Sequence, residues 1–164
     1  MVDWIKVFDL NQKGLWFSVS ISIILFLLML FLPKKNINWV GIYFTFPIIS
    51  LITWLIDTSL FIPFDLLDLG NPHVEGVGDV LLFTFVPASL SCLFLNYFVE
   101  KRRWLLTIIF TIISLSIELG LMWTDYLVLH GWHTIYSLIV YLSVFGFLLP
   151  LHRKILTNYT RPNY

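Results

Sequence analysis

The chain has 164 residues, 59% of them hydrophobic and 12% charged, and its formal net charge is zero. That is about half the charge of an ordinary soluble domain, in which roughly 25% of residues are charged, and no basic excess points to nucleic acid. A single cysteine, Cys92, excludes an intramolecular disulfide and a zinc site built on thiolates; it is expected to be a small apolar filler.

The apolar residues come in long blocks rather than in amphipathic periods, which is the signature of membrane spans. Five spans of about 20 residues use most of the length and leave no room for a separate soluble domain. The fold class is therefore all-α: one integral membrane bundle with five transmembrane helices over residues 15–32, 39–62, 77–98, 104–128 and 134–151.

Residues 1–14 are mixed, with Trp4, Val7 and Phe8 on one helical face, and predict a short interfacial segment. A cleaved signal peptide is disfavoured, because the next apolar run is long, no Ala-x-Ala site follows, and Lys34-Lys35 stops the run. Span 1 closes at Pro33-Lys34-Lys35. Span 2 contains Pro47, expected to kink it. Residues 63–76 carry Pro63, Gly70, Pro72, Asp65, Asp68, His73 and Glu75 and read as a loop, with one short turn at 64–69. Span 3 contains Pro87 near its middle. Glu100-Lys101-Arg102-Arg103 is a tight polar turn into span 4, for which Gly131 is the expected stop. Span 5 ends near Leu151, and residues 152–164 form a loosely ordered cytoplasmic tail.

Orientation follows from the basic residues. Lys34 and Lys35 follow span 1, Lys101, Arg102 and Arg103 follow span 3, and Arg153, Lys154 and Arg161 follow span 5. An odd span count puts all three clusters on one side, so the positive-inside rule predicts an outside amino terminus and a cytoplasmic carboxyl terminus. Six of the seven tryptophans fall near span ends, as an interfacial aromatic belt requires.

The candidate site residues are the carboxylates that this orientation sends outward: Glu118, Asp57, Asp79 and Asp125. Thr107, Thr111, Ser114, Glu118 and Asp125 recur at steps of 4, 3, 4 and 7 and predict one polar face of span 4. Ser50-x-x-Thr53-x-x-x-Asp57 in span 2 matches Thr111-x-x-Ser114-x-x-x-Glu118, a pattern that a parallel repeat of spans 2–3 and 4–5 would leave; the stronger reading is plain, since serine and threonine are common helix-packing residues in membranes and apolar blocks align by chance. Glu118 has two readings of equal weight. It is a proton or cation site, as intramembrane carboxylates commonly are, or it is a hydrogen-bonding pin between helices. No Lys or Arg lies inside any span to pair with it.

His130, His133 and His73 are further outer-face contributors. With Asp125, Glu118 and Glu75 they supply nitrogen and oxygen donors of the kind zinc accepts, but the spacing is generic and no metal or other cofactor is expected. Nucleophile and phosphate-loop motifs are absent.

From Asp79 onward the chain resembles a family of small multi-pass membrane proteins of spore-forming Firmicutes. The residues that carry the resemblance are Asp79-Val-Leu-Leu-Phe83 with Pro87, Asn96-Tyr97, Glu118, and Trp132-His133-Thr134-Ile135-Tyr136-Ser137. Pro87 lies farther from Asp79 than in the family pattern, and the order of Asn96 and Tyr97 is reversed. The resemblance implies a bacterial plasma-membrane protein and no particular activity. Three functional expectations result: a non-catalytic structural or accessory component working in the bilayer, alone, as a homo-oligomer or with a membrane partner; a small transporter or ion-binding protein using the outer carboxylates; and, last, a membrane enzyme with an acidic and histidine site.

Overall fold

The computed structural model describes residues 8–71 and 76–160, with side chains as far as Thr157. Five apolar helical stretches follow one another. Helix α1 is Leu15–Phe31. Helix α2, Trp39–Ile56, runs on through a π turn, Asp57–Phe61. Helix α3 is Val77–Tyr97. Helix α4, Arg103–Trp123, is entered through a 3-10 turn at Glu100–Arg102. Helices α5, Thr134–Ser143, and α6, Leu149–Thr160, are joined by a π turn at Val144–Leu148 into a single span. The stretches Trp39–Phe61, Val77–Tyr97, Glu100–Trp123 and Thr134–Thr157 are long and apolar enough to cross a membrane. Helix α1, with 17 residues, reaches about 26 Å at the helical rise of 1.5 Å per residue, slightly under the roughly 30 Å of a hydrocarbon core.

Helix α3 organises the bundle. It packs along both α1 and α2 and also meets α4 and α6. Every residue from Ala88 to Asn96 is buried, because Ala88, Ser89, Ser91 and Cys92 are small enough to let neighbouring helices approach from several sides. The outer helices bury one stripe each. In α1 the buried residues are Ser18, Ser22, Leu25 and Met29, a helical period facing α3. In α4 the stripe is Thr107, Thr111, Ser114 and Glu118, while Leu105, Ile108, Ile112 and Leu119 are exposed on the remaining surface. An aromatic cluster fixes α3, α4 and the second π turn: the Phe94 ring lies 5.5 Å from Phe110 and 5.3 Å from Phe145.

The two ends differ in structure. At one end, the connection after α2 forms a short strand β1, Leu67–Leu69, antiparallel to β2, Leu127–Leu129, from the connection after α4, with Leu67 opposite Leu129. The Leu66 carbonyl then accepts from the backbone N–H groups of His130, Gly131 and Trp132. At the other end, the link between α1 and α2 is tied to the carboxyl end of α3: the Asn96 amide accepts from Lys35 N and donates to Pro33 O.

Three sequence expectations are corrected. The apolar run predicts span 4 to residue 128, but α4 stops at Trp123; Thr124 and Asp125 turn the chain, Asp125 with φ of 55°, and Leu127–Leu129 is drawn into the β pair. Strand pairing, not Gly131, ends the helix. The expected turn at 64–69 instead contains β1. The carboxyl-terminal segment stays helical to Thr160, beyond the expected end at residue 151. The predicted interfacial segment is described only from residue 8 on, where it turns and packs against the loops at the β1–β2 end: Gln12 donates to Gly70 O, and Val77 N donates to Phe8 O.

Candidate functional site

Glu118 lies on the buried stripe of α4, 5% exposed. Ser137 and Tyr141 stand four residues apart on α5 and so share one face. Ser137 Oγ donates to Glu118 Oε1 at 2.8 Å, and Tyr141 Oη donates to Oε2 at 2.9 Å. Trp132 Nε1 donates in turn to Ser137 Oγ at 2.8 Å. Both carboxyl oxygens are thus occupied by donors from the next helix, and the relay runs back to the loop that enters α5. One turn below Ser114, Thr111 Oγ1 is buried without a hydrogen-bond partner.

Asp79 sits in the first turn of α3. Its Oδ2 accepts from Gly76 N at 2.8 Å, closing the helix start, and its Oδ1 accepts from Tyr126 Oη at 2.6 Å. A carboxylate is favoured there by the positive end of the helix dipole. Tyr126 is fully buried. Burial and the adjacent Asp79 carboxylate hold its hydroxyl well above the ordinary tyrosine range, so it remains a proton donor. The contact depends on Gly78, where a Cβ would stand 2.1 Å from Tyr126 Oη and 2.6 Å from Leu15 Cδ1. The same absence of a side chain lets Ser18 Oγ reach Gly78 O at 2.8 Å. Gly14, at φ of 78°, starts α1 against Thr124 and Tyr126, a left-handed conformation that glycine adopts without penalty. Tyr126 therefore joins α1, α3 and the connection after α4.

Asp57 is buried in the π turn that ends α2. Upstream on the same stripe, Ser50 Oγ donates to Thr84 O of α3 at 2.8 Å, and Trp54 Nε1 donates to Thr84 Oγ1 at 3.1 Å. The matching stripes of α2 and α4 thus each face the helix that follows in sequence. Glu118 and Asp79 belong to separate joints, one to α5 and the other to Tyr126.

The remaining candidates lie at the surface. Asp125 is exposed and paired with Lys13 Nζ; it stands beyond the end of α4 and so leaves the helical stripe that the sequence spacing predicts. His133 immediately precedes α5 without a side-chain capping bond, and its ring packs edge-on against Tyr136, with ring centroids 5.6 Å apart. His130 Nε2 lies 2.8 Å from Asp68 Oδ2, and Asp65 completes a set whose possible ligand atoms lie within 4.8 Å of one another. Two of these three residues are exposed. The donor set is thus His130 with Asp65 and Asp68 rather than His130 with His133 and Asp125. His73 and Glu75 lie outside the described residues.

Sequence reasoning misses Tyr126, Asp68 and the Ser137–Tyr141 pair as partners. The spacing of Ser137 and Tyr141 is a usable signal for a polar face on α5. Nothing local marks Tyr126, whose partner is 47 residues away. No protein-family model, curated protein or solved structure matches the chain.

Proposed function

We propose that this protein is a non-catalytic structural or accessory component of a bacterial plasma membrane, with its amino terminus outside and its carboxyl terminus in the cytoplasm. The observation that carries the reading is the environment of Glu118: both carboxyl oxygens accept from Ser137 and Tyr141, so the intramembrane acid serves as a fastener between α4 and α5. A translocating carboxylate faces a water-filled cavity or a relay of ionisable groups, whereas Glu118 faces the hydroxyls of α5 and Asp79 is engaged at a different joint. What supports the orientation is the grouping of the basic residues: Lys34 and Lys35 follow α1, Lys101, Arg102 and Arg103 enter α4, and Arg153 and Lys154 lie in α6, the last part of the fifth span. We assign the membrane to a bacterium on the sequence resemblance proposed for the second half alone.

The test is reconstitution of the purified chain into vesicles loaded with a pH-sensitive dye and placed under proton and alkali-cation gradients. Flux equal to that of empty vesicles is expected. Flux above that level that Glu118→Gln abolishes would overturn the reading in favour of transport. Orientation is checked separately in a Cys92→Ser background: a thiol at position 101 should be shielded from an impermeant reagent in intact cells, and one at position 125 labelled.

A further inference from the structure

At the basic end of the bundle, the link between α1 and α2 and the body of α6 border an open cleft of about 540 Å³, a volume within the range of roughly 300–1,000 Å³ typical of small-ligand sites. Its lining includes three cations, Lys34, Lys35 and Arg153, and no carboxylate. The cleft is preformed. Besides the two bonds made by the Asn96 amide, Asn36 Nδ2 donates to Asn96 O and Phe98 O, both at 3.1 Å, so the link is held on the end of α3.

The three cations are not equivalent. Lys34 Nζ donates to the carbonyls of Met29, Leu30 and Leu32 at 2.6, 2.9 and 2.8 Å. Its protons are used by the open carboxyl end of α1, and it offers the cleft charge alone. Lys35 is exposed, with its ammonium 5.2 Å from the centre of the Tyr97 ring. The Arg153 guanidinium lies 4.8 Å above the Phe98 ring, and its Nε is buried without a hydrogen-bond partner. Among the described residues neither Lys35 nor Arg153 forms an ion pair. Helix α2 begins at the same cleft, where Asn38 Oδ1 accepts from Gly41 N, and the positive end of its dipole adds to the field of the side chains. Cations that line a cleft with no acid beside them among the described residues suit an anion from outside the chain.

We propose that this cleft binds the phosphate of an anionic phospholipid, with Arg153 and Lys35 as the phosphate ligands. An arginine fork suits phosphate oxygens, and basic pockets at the ends of membrane helices are where charged headgroups bind. The lipid, rather than a free phosphate, is favoured by the surroundings. Trp39, exposed at the start of α2, lines the cleft as an interfacial aromatic, and Val40, Phe44, Leu151 and Ile155 are exposed on the two helices that bound it, where acyl chains would lie. The proposal rests on the chain spanning a bilayer and not on which side faces the cytoplasm or on the absence of catalysis.

The test is mass spectrometry of the intact chain released from detergent micelles. The chain is titrated with phosphatidylglycerol, with phosphatidylcholine of the same acyl chains, and with glycerol phosphate and inorganic phosphate as chain-free probes. Phosphatidylglycerol should bind in preference to phosphatidylcholine. Arg153→Gln and Lys35→Gln should each weaken phosphatidylglycerol binding about tenfold, the loss expected for one charge-assisted hydrogen bond, and leave phosphatidylcholine unchanged. Lys35 is exposed, and among the described residues its ammonium forms no hydrogen bond or ion pair, so Lys35→Gln remains a valid readout if Arg153→Gln disturbs the fold. Equal binding of the two lipids, or phosphatidylglycerol binding unchanged in Lys35→Gln, would overturn the proposal. Inorganic phosphate that saturates the site and displaces the lipid would assign it to a soluble anion instead. The vesicle-flux and labelling results leave these arms unaffected, so the two readings fail separately.

Discussion

At the β1–β2 end, Asp79 is bound by Tyr126 and Gly76, Asp68 by His130, and Asp125 by Lys13. At the opposite end Lys35 and Arg153 face a cleft without a carboxylate among the described residues, where the ion pair formed is that of Arg103 with Glu100 at 3.9 Å. The first end uses its charges to fasten the chain to itself. The second keeps part of its charge for something outside. The difference matters because an acid that already accepts from buried donors has little capacity left for a ligand, whereas an unpaired cation beside a preformed cleft has not yet met its counter-charge.

The fastened end is most vulnerable at Gly78. Gly78→Ala would push a methyl group into Tyr126 and Leu15, and overpacking of this kind costs about 3 kcal/mol at its upper range. The variant should melt far below the wild type in detergent, measured by intrinsic tryptophan fluorescence. A wild-type melt would mean that the joint between α1, α3 and Tyr126 yields easily. Tyr126→Phe is the next largest change. It removes the donor to a buried Asp79 oxygen, for about 1–3 kcal/mol, and should lower the melting temperature in the same assay by less than Gly78→Ala does.

Glu118→Leu leaves the Ser137 and Tyr141 hydroxyls without their acceptor, at about 1–2 kcal/mol in a membrane setting. Glu118→Gln keeps an acceptor and a donor at the same place and should lose about 0.5 kcal/mol or less. Equal melting of the two variants would remove Glu118 from the list of fasteners. The smallest effect is expected at the surface. Lys13→Ala breaks an exposed ion pair and should shift stability by about 0.5 kcal/mol, within the usual range for such pairs, with the difference from wild type vanishing in high salt.

Much of this architecture is legible in the chain itself. The starts of α1, α2, α3 and α5 at Leu15, Trp39, Val77 and Thr134 coincide with the sequence expectation, because Gly14, Asn38, Gly76 and His133 precede apolar runs. The polar stripe of α4 is visible as a period of 3.6 and is buried from Thr107 to Glu118. Its last predicted member, Asp125, is not on the helix. The error has a physical cause: residues 124–129 are apolar enough to continue a helix, and only the strand across from them, Leu67–Leu69, offers the alternative hydrogen bonds that end it. The donor set around His130 was illegible for the same reason, since Asp65 and Asp68 reach it through that pairing.

Composition and period alone dictate a bundle of apolar helices, the place where most of them begin, and the residues that carry the charge. These are properties of local composition and period, which any fold of these residues must respect. The tertiary structure decided what the charges do. A carboxylate in an apolar helix must find donors or water, and only the packing of α4 on α5 gave Glu118 the hydroxyls of Ser137 and Tyr141. Only the approach of α1, α3 and the connection after α4 brought Tyr126 to Asp79. At the other end, the same packing left Arg153 and Lys35 beside an open cleft.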